Sequence, residues 1–251
     1  MFYSICFSPT GGTKKAADIL INHLTDTYQT IDLCRETEEL SLSAEDICLV
    51  SVPSYSGRVP AIAVQRLRKI RGNGAKAILD CVYGNRAWED TLTELQDTLE
   101  ACGFICAAAA AIVAEHSIFR QFASGRPDQE DEKQLIGFAE KIKAKLQSGM
   151  FGDLHLAGSH GIYKEVTKGG PFKPEANEHC ISCGACAQGC PVSAIDKTDP
   201  RKTDKENCIS CLRCISICPQ HARDFDPEFM QTMSEKFEAR LSGHKENYLF
   251  I

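Results

Sequence analysis

Short apolar runs alternate with helical patterns through the first 148 residues of the chain. Five of these runs, rich in β-branched residues, predict buried strands: Phe2–Phe7, Gln29–Leu33, Ile47–Val52, Ala75–Tyr83 and Phe104–Val113. Three segments repeat apolar residues at helix spacing: Thr13–Leu24, Trp88–Cys102 and Asp128–Leu146. Strands that alternate with helices usually form a parallel sheet covered on both faces. The pattern therefore predicts a doubly wound α/β domain.

The pattern changes after this domain. Glycines and prolines are frequent between residues 149 and 177, which predicts an irregular linker that crosses the sheet domain. Near the C-terminus, apolar residues recur at every fourth position in the segment from Asp226-Pro227 to Leu241, which predicts a helix with one apolar stripe. The apolar tail 247–251 is expected to be packed. The predicted division is 1–148, 149–177, 178–226 and 227–251.

The connection between the second and third predicted strands lacks a clear helical pattern. It is the polar segment 34–45, which is expected to form a long loop or a poor helix. Ligands of such sheets bind in loops at the carboxyl ends of the strands. The first of these loops joins the first strand to a helix and exposes backbone N–H groups at a helix N-terminus, which predicts an anion site. Its residues are Ser8, Pro9, Thr10, Gly11, Gly12 and Thr13. It has neither the ending of a Walker loop nor the glycine spacing of a dinucleotide site.

Two further loops follow the third and fourth strands. Each has aromatic side chains that could cover a flat ring and glycines that allow close backbone approach. The candidate residues are Pro53, Ser54, Tyr55, Ser56 and Gly57 in one loop, and Tyr83, Gly84, Asn85, Arg86 and Trp88 in the other. Tyr83 or Trp88 is expected to stack on a bound ring, with Tyr55 as the second choice.

Eight of the fourteen cysteines form two runs of identical spacing, each ending in Cys-Pro. The runs are Cys180, Cys183, Cys186 and Cys190, then Cys208, Cys211, Cys214 and Cys218. Paired Cys-x2-Cys units also build zinc sites, but four zinc ligands would leave the third cysteine of each run and the Cys-Pro unexplained. A disulfide framework is the other alternative, and the N-terminus has no secretory signal pattern that would favour it. The remaining six cysteines have no ligand spacing and are expected in the core.

Composition narrows the classes of partner. The net charge of −6, from 28 basic and 34 acidic residues, indicates neither nucleic-acid binding nor a polybasic membrane anchor. No apolar run is long enough to span a bilayer. A cytoplasmic protein is therefore expected.

The doubled cysteine run resembles the bacterial-type two-cluster ferredoxins, in which three thiolates of each run hold one [4Fe-4S] cluster and the fourth holds the other cluster. The resemblance implies a small α+β domain with two [4Fe-4S] clusters. It puts Cys180, Cys183, Cys186 and Cys218 on one cluster, and Cys208, Cys211, Cys214 and Cys190 on the other.

The loop Ser8–Thr13 resembles the phosphate loop of flavodoxins, Ser/Thr-x-Thr-Gly-x-Thr, and meets each defined position of that motif. The resemblance implies a flavodoxin-like five-stranded parallel sheet in the order 2-1-3-4-5 and a noncovalent FMN whose phosphate the loop holds. Gly57 resembles the flavodoxin glycine whose peptide turns toward the reduced flavin.

As a whole the chain is similar to the flavodoxin-ferredoxin fusion proteins of anaerobic bacteria and archaea. The resemblance implies an electron carrier that joins one- and two-electron couples and exchanges electrons with redox partner proteins. Two alternatives stay open: an oxidoreductase that reduces a small substrate at the flavin, or a cluster protein whose sheet domain only docks partners. The absence of a nicotinamide-binding motif favours a protein donor. The sequence leaves the oligomeric state open.

Overall fold

The computed structural model describes residues 1–165 and 170–251. The sheet domain contains β1 (Phe2–Cys6), α1 (Gly12–Leu24), β2 (Gln29–Asp32), β3 (Leu40–Ser41), β4 (Ile47–Pro53), α2 (Ala61–Leu67), β5 (Ile70–Arg71), β6 (Lys76–Tyr83), α3 (Thr91–Ala101), β7 (Ile105–Val113) and α4 (Gln129–Ser148). The rest of the chain contains β8 (Glu175–Ala176), α5 (Ala185–Gly189), α6 (Arg213–Ser216), β9 (Arg223–Asp224), α7 (Pro227–Leu241) and β10 (Tyr248–Phe250).

The main sheet has six strands in the order β10-β7-β6-β4-β1-β2. Five of them are parallel, and their order β2-β1-β4-β6-β7 is the predicted order 2-1-3-4-5. The sixth strand corrects the prediction of a five-stranded sheet, because β10 pairs antiparallel with the edge strand β7. The C-terminal tail thus covers a sheet edge that would otherwise leave backbone groups unpaired.

Alternating side chains of the strands supply two apolar layers, one on each face of the sheet. Ile5, Val50 and Leu79 belong to the layer that α2 and α3 cover. Leu49 and Ile78 belong to the layer under α1 and α4. Burial of strands on both faces explains why the sequence shows nearly continuous apolar runs and not a strict alternation.

Two features between the predicted strands were missed. Helix α2 covers the crossover from β4 to β6, and its seven residues are too few to give a helical period in the sequence. The predicted long loop at 34–45 contains β3, which pairs with β5 in a separate two-stranded sheet. Each of these strands is two residues long, so no alternation could reveal it.

Apart from the two-residue strand β8, the described part of the predicted linker has no helix or strand, and its first half docks on α3. Leu154 and Leu156 enter the core on that face of the sheet. Asp97 of α3 accepts hydrogen bonds from the Gly161 N–H at 2.9 Å and from the Tyr163 hydroxyl. Residues 166–169 of the predicted linker lie outside the described residues.

Helix α7 begins and packs as its sequence pattern predicts. Asp226 caps it by accepting from the Phe229 N–H at 2.8 Å, and Pro227 occupies its first turn. The apolar stripe of α7 packs in an aromatic cluster with Phe119 of the sheet domain and Phe172 of the linker end. The ring of Phe119 lies 5.5 Å from that of Phe172 and 5.6 Å from that of Phe237. This cluster fixes the C-terminal third of the chain to the sheet domain.

Asn247 anchors β10 at the sheet edge. Its side-chain oxygen accepts from the Val113 N–H at 2.8 Å, and its amide donates to Asp131 and Gln134, each at 2.8 Å. Asp131 also pairs with Arg126 at 2.5 Å. Burial opposes ionisation of Asp131, but the Arg126 guanidinium, the Asp128 N–H and the Asn247 amide lower its pKa to about 2. In the part of the chain that the structure describes, no helix is both long and apolar enough to cross a membrane.

We expect Asn247→Ala to destabilise the protein by about 1–3 kcal/mol. The change leaves the buried Val113 N–H without its acceptor and removes one donor from the Asp131 carboxylate. The free energy of unfolding in urea measures the effect. Glu246→Gln is the matched control, since the Glu246 side chain is exposed and pairs with the exposed His244. An Asn247→Ala protein as stable as this control would show that the anchor contributes nothing.

Candidate cluster and flavin sites

The loop 8–13 leads from β1 into α1 and has the geometry of an anion cradle. Gly11 occupies the N-cap with φ +94°, a left-handed conformation that glycine adopts without strain. The Ser8 hydroxyl accepts from the Lys14 N–H at 2.9 Å. The N-cap residue Gly11 has no side chain of its own to cap α1, and the first turn of the helix carries no acidic residue. Thr13 is buried, while Thr10 is exposed at the mouth of the loop. The donor set and the positive end of the helix fit a phosphate group.

The loop after β4 makes a tight reverse turn. The Tyr55 N–H donates to the Arg58 carbonyl at 2.9 Å, and the Arg58 N–H donates back at 3.1 Å. Ser56 and Gly57, the two central residues, have φ +54° and +82°, as in a type I′ turn. The Glu89 carboxylate lies against Gly57 so closely that a Cβ at this position would clash. The turn therefore requires glycine for backbone conformation and for space.

The start of this loop is tied to the loop after β6. Pro53 ends β4, and the Ser54 hydroxyl accepts from the Thr91 hydroxyl at 2.9 Å. Arg86 pairs with Glu89, and Gly84 packs directly against His116.

Aromatic residues of the loop after β6 hold the C-terminal segment. Tyr83 is 3% exposed, and its hydroxyl donates to the Glu246 carbonyl at 2.7 Å. The Trp88 ring lies 5.1 Å from the rings of both Tyr83 and Tyr248. The prediction that Tyr83 or Trp88 stacks on a ligand ring finds no support in these contacts, because both rings already pack against protein. The Asn85 amide is likewise engaged, with the carbonyls of Leu241 and Gly243 at 2.5 and 2.8 Å.

Tyr55 is in a different position, at the carboxyl end of the sheet beside the cysteine runs. Its ring lies edge-on to Phe7 at 6.5 Å. Burial raises the pKa of its hydroxyl well above the ordinary value, and the neighbouring Cys211 and Cys34 raise it further. Burial also raises the pKa of the Cys34 thiol to about 12, while the nearby Ser8 backbone opposes this rise. Tyr55 and Cys34 thus lie between the phosphate loop and the second cysteine run.

The eight cysteines of the two runs line two separate cavities. The first contains Cys180, Cys183, Cys186 and Cys218 in its lining. The second contains Cys190, Cys208, Cys211 and Cys214. We call them the outer and the inner cavity. The fourth cysteine of each run joins the three of the other run, which is the grouping that the ferredoxin resemblance implies. All fourteen cysteines are free thiols.

The backbone repeats its conformation from one run to the next. Residues offset by 28 positions, the offset between Cys180 and Cys208, share left-handed φ values. The pairs are Ser182 and Ser210, both at +53°, Gly184 and Leu212, at +75° and +59°, and Ser193 and His221, at +53° and +48°. Left-handed φ is unfavourable for serine, histidine and especially leucine, so the loop shape is imposed by the fold around the cavities.

The sulfur atoms of the crossing cysteines receive matching hydrogen bonds. The Ala194 N–H donates to Cys190 Sγ at 3.2 Å, and the Ala222 N–H donates to Cys218 Sγ at 3.3 Å. Such N–H···S bonds stabilise cluster thiolates and tune their potential. The four-sulfur lining of each cavity therefore fits an iron–sulfur cluster. In residues 1–165 and 170–251, no three His, Cys, Asp or Glu side chains are arranged to hold a single metal ion.

The inner cavity lies against the carboxyl end of the sheet. Ile209, in its lining, packs on the sheet core. Arg66 of α2 donates to the Leu33 carbonyl at 2.7 Å and to the Pro191 carbonyl at 2.8 Å, so one guanidinium joins the two domains. This contact has no signal in the sequence, because a lone arginine in a short amphipathic segment looks like a surface residue.

His116 precedes the irregular segment between β7 and α4. Its Nδ1 accepts from the N–H groups of Ile118 and Phe119, each at 3.1 Å, so the ring is the neutral tautomer with its proton on Nε2. Burial, helped by the charge of Arg86, lowers its pKa to about 4. These contacts make His116 a structural residue of this turn.

The C-terminal segment matches a known family. Residues 179–222 match the 4Fe-4S dicluster domain. No curated protein matches the chain.

Solved structures resemble the sheet domain only distantly. A flavodoxin of Streptococcus pneumoniae TIGR4 aligns at 20% identity with a TM-score of 0.41, over 58% of this chain and 99% of that chain. Flavodoxin 2 of Bacillus cereus aligns at 16% identity with a TM-score of 0.42, over 57% and 97%. Rubredoxin oxygen:oxidoreductase of Desulfovibrio gigas aligns at 17% identity with a TM-score of 0.38, over 58% of this chain but only 36% of that chain.

The strand order, and not these alignments, identifies the sheet domain as flavodoxin-like. Together with the dicluster match, it shows a flavodoxin-like domain followed by a 4Fe-4S region. This combination fits a flavodoxin-ferredoxin fusion and an electron-transfer role in general.

We expect the free energy of unfolding to fall as the pH is lowered from about 6.5 toward 4, in part because of His116. An unfolded histidine has a pKa of about 6.5, whereas His116 in the folded protein titrates near 4. Between these values the unfolded chain binds the extra proton, which costs up to about 1.4 kcal/mol per pH unit. Above pH 6.5 this contribution to stability is fully present.

Urea unfolding of the native protein and of His116→Asn across this range tests the expectation. Asparagine keeps an acceptor near the position of Nδ1 but does not titrate, so the variant should show a shallower slope. His155→Asn, on an exposed side chain, is the control and should match the native slope. Equal slopes for all three proteins would contradict the assignment.

Proposed function

We propose that this chain is an electron-transfer flavo-iron-sulfur protein with two [4Fe-4S] clusters and a noncovalent FMN. The observation that carries the proposal is the pair of four-cysteine cavities, one of which abuts the carboxyl end of a flavodoxin-like sheet. When bound, FMN can exchange one or two electrons, whereas each cluster exchanges one, so the protein would join one- and two-electron couples.

The chain's own residues have distinct tasks in this proposal. Eight thiolates, from the two cysteine runs, hold the clusters, and the N–H groups that donate to Cys190 and Cys218 stabilise their charge. The loop 8–13 holds the phosphate of FMN at the start of α1. Tyr55, Ser56 and Gly57 supply the turn nearest to the inner cavity, and we assign ring packing to Tyr55 instead of Tyr83 or Trp88.

The positions of the inner cavity and the phosphate loop support electron transfer between them without a catalytic acid or base. Tyr55 lies next to Cys211 of the inner cavity and Cys34, and Cys34 lies beside the Ser8 backbone of the phosphate loop. Tyr55 and Cys34 thus connect the phosphate loop with the inner cavity. External redox proteins would deliver or remove electrons. An oxidoreductase of small substrates remains the second function, and turnover of a small acceptor by the purified protein would favour it.

We expect anaerobically purified protein to contain about eight irons and one FMN per chain. Two double variants test the crossed ligand sets. Cys183→Ala with Cys218→Ala removes two ligands from the outer cavity alone and should leave about four irons. Cys183→Ala with Cys190→Ala removes one ligand from each cavity and should leave fewer. The reverse ranking would show that each run binds its own cluster, and native protein containing zinc in place of iron would refute the proposal.

For the flavin, we expect Thr10→Glu to weaken FMN binding at least tenfold, because it puts a like charge at the mouth of the phosphate loop. Quenching of FMN fluorescence during titration of the flavin-free protein measures the dissociation constant. Thr10 is exposed, so the fold should tolerate the change, and Thr27→Glu, an exposed site beyond α1, is the charge-matched control. Equal dissociation constants for the two variants would place the phosphate elsewhere.

A further inference from the structure

The two cavities differ in their exposure. In the outer cavity, Cys183 is exposed and Ile181 is 63% exposed, and each lining residue belongs to the segment 180–223. The inner cavity lies against the sheet domain, where its lining includes Pro191 and Ile209. An external redox protein can therefore reach the outer cavity directly. The inner cavity lies between the outer cavity and the sheet domain.

The cavities also differ in the positive charge around them. Arg66 is buried, and it binds the carbonyl of Pro191, the residue after Cys190. Arg213 lines the inner cavity, and its side chain is 17% exposed. The nearest carboxylates to these two arginines are Glu36 at 3.8 Å and Asp32 at 4.0 Å, whose side chains are 74% and 41% exposed. Water screens these carboxylates far more than it screens the guanidinium groups.

A third guanidinium lies between the cavities. Arg223, the largest fully buried side chain among the described residues, lines the outer cavity, and its charge also acts on Cys214 of the inner one. It donates to Thr203 Oγ1 at 2.8 Å and to the carbonyls of Pro174 and Pro200. Within the described residues it has no carboxylate partner, and its Nε, like those of Arg66 and Arg213, has no hydrogen-bond partner.

A buried cation without a counter-ion is costly, so the arrangement calls for negative charge in the cavities. Thiolate-ligated clusters supply it, and each reduction adds one further negative charge. Positive charge nearby makes that reduction easier. Arg223 acts on both cavities, whereas Arg66 and Arg213 add their charge at the inner cavity. Arg201, which donates to the Cys180 carbonyl near the outer cavity, is exposed to solvent and screened.

We propose that Arg66 and Arg213 make the inner cluster easier to reduce than the outer one, so that electrons enter at the outer cavity and pass inward to the sheet domain. The inference rests on the proposed function. A low-potential one-electron redox protein is oxidised by one electron at the outer cavity, and the same electron reduces the inner site. No bond forms or breaks, and no proton has to move. Burial by itself would make the inner cluster harder to reduce, so the guanidinium groups have to outweigh it.

The test is a redox titration of the native holoprotein and its variants, followed by EPR, with iron and FMN counted first. Arg66→Gln and Arg213→Gln should each lower one of the two cluster potentials and leave the other nearly unchanged. We expect at least a tenfold change in the reduction equilibrium, which corresponds to 59 mV for a one-electron couple. The couple that shifts should be the more positive one in the native protein.

Matched variants separate charge from structure. Arg66→Lys and Arg213→Lys keep the charge and should restore most of the potential, whereas a merely structural role would leave it low. Arg71→Gln, in the separate two-stranded sheet and outside the lining of both cavities, removes the same charge and should shift neither couple. Arg223→Gln should lower both potentials. Arg213, being only partly buried, provides a test that folds even if the Arg66 and Arg223 variants do not.

The outcomes are distinguishable. A native chain without iron overturns the proposed function and this inference with it. A fully loaded chain in which the responding couple is the more negative one, or in which the glutamine variants shift no more than Arg71→Gln, overturns the inference alone.

Discussion

The exchange of one cysteine between the two cysteine runs is the constraint on which the C-terminal region depends. Cys190 lines the cavity of the second run, and Cys218 lines that of the first. Neither cavity can be completed by its own run, so the two loops have to fold as one unit. The short sheet of β8 and β9 closes this unit, and the repeated left-handed residues give both loops the same shape.

The same crossing determines how the unit meets the sheet domain. Pro191 follows the crossing Cys190, and its carbonyl accepts from the buried Arg66. The inner cavity is consequently held at the carboxyl ends of β1, β2 and β4, where parallel sheets bind ligands. Tyr55 and Cys34 fill the boundary between that cavity and the phosphate loop. Arginine suits this position, because its planar guanidinium can bind two carbonyls on different domains while keeping its charge.

The C-terminal segment provides the second attachment. Helix α7 packs its aromatic stripe on Phe119 and Phe172, and β10 adds an antiparallel strand to the edge of the sheet. Tyr83, Asn85 and Trp88, which the sequence predicts beside a ligand, contact this returning segment. Residues at the carboxyl end of a strand can contact either a ligand or another part of the chain. Here the C-terminal segment of the same chain packs on some of them. A strand prediction by itself therefore could not show that the returning segment contacts these side chains.

The sequence by itself determined the elements whose signals are local: five parallel strands, the long helices, the glycine requirement of the loop 8–13 and the two cysteine runs. Periodicity and spacing are properties of residues close together in the sequence, so they can be recognised without knowledge of the fold. The sequence could not reveal the two-residue strands, the short α2 or the pairing of β10, because these depend on partners far along the chain. The tertiary structure alone decided which arginines are buried beside the cavities and which aromatic residue faces the inner one. Burial and charge proximity arise only when distant segments pack together. The sequence around Arg66, Arg213 or Arg223 therefore does not show that the arginine is buried beside a cavity.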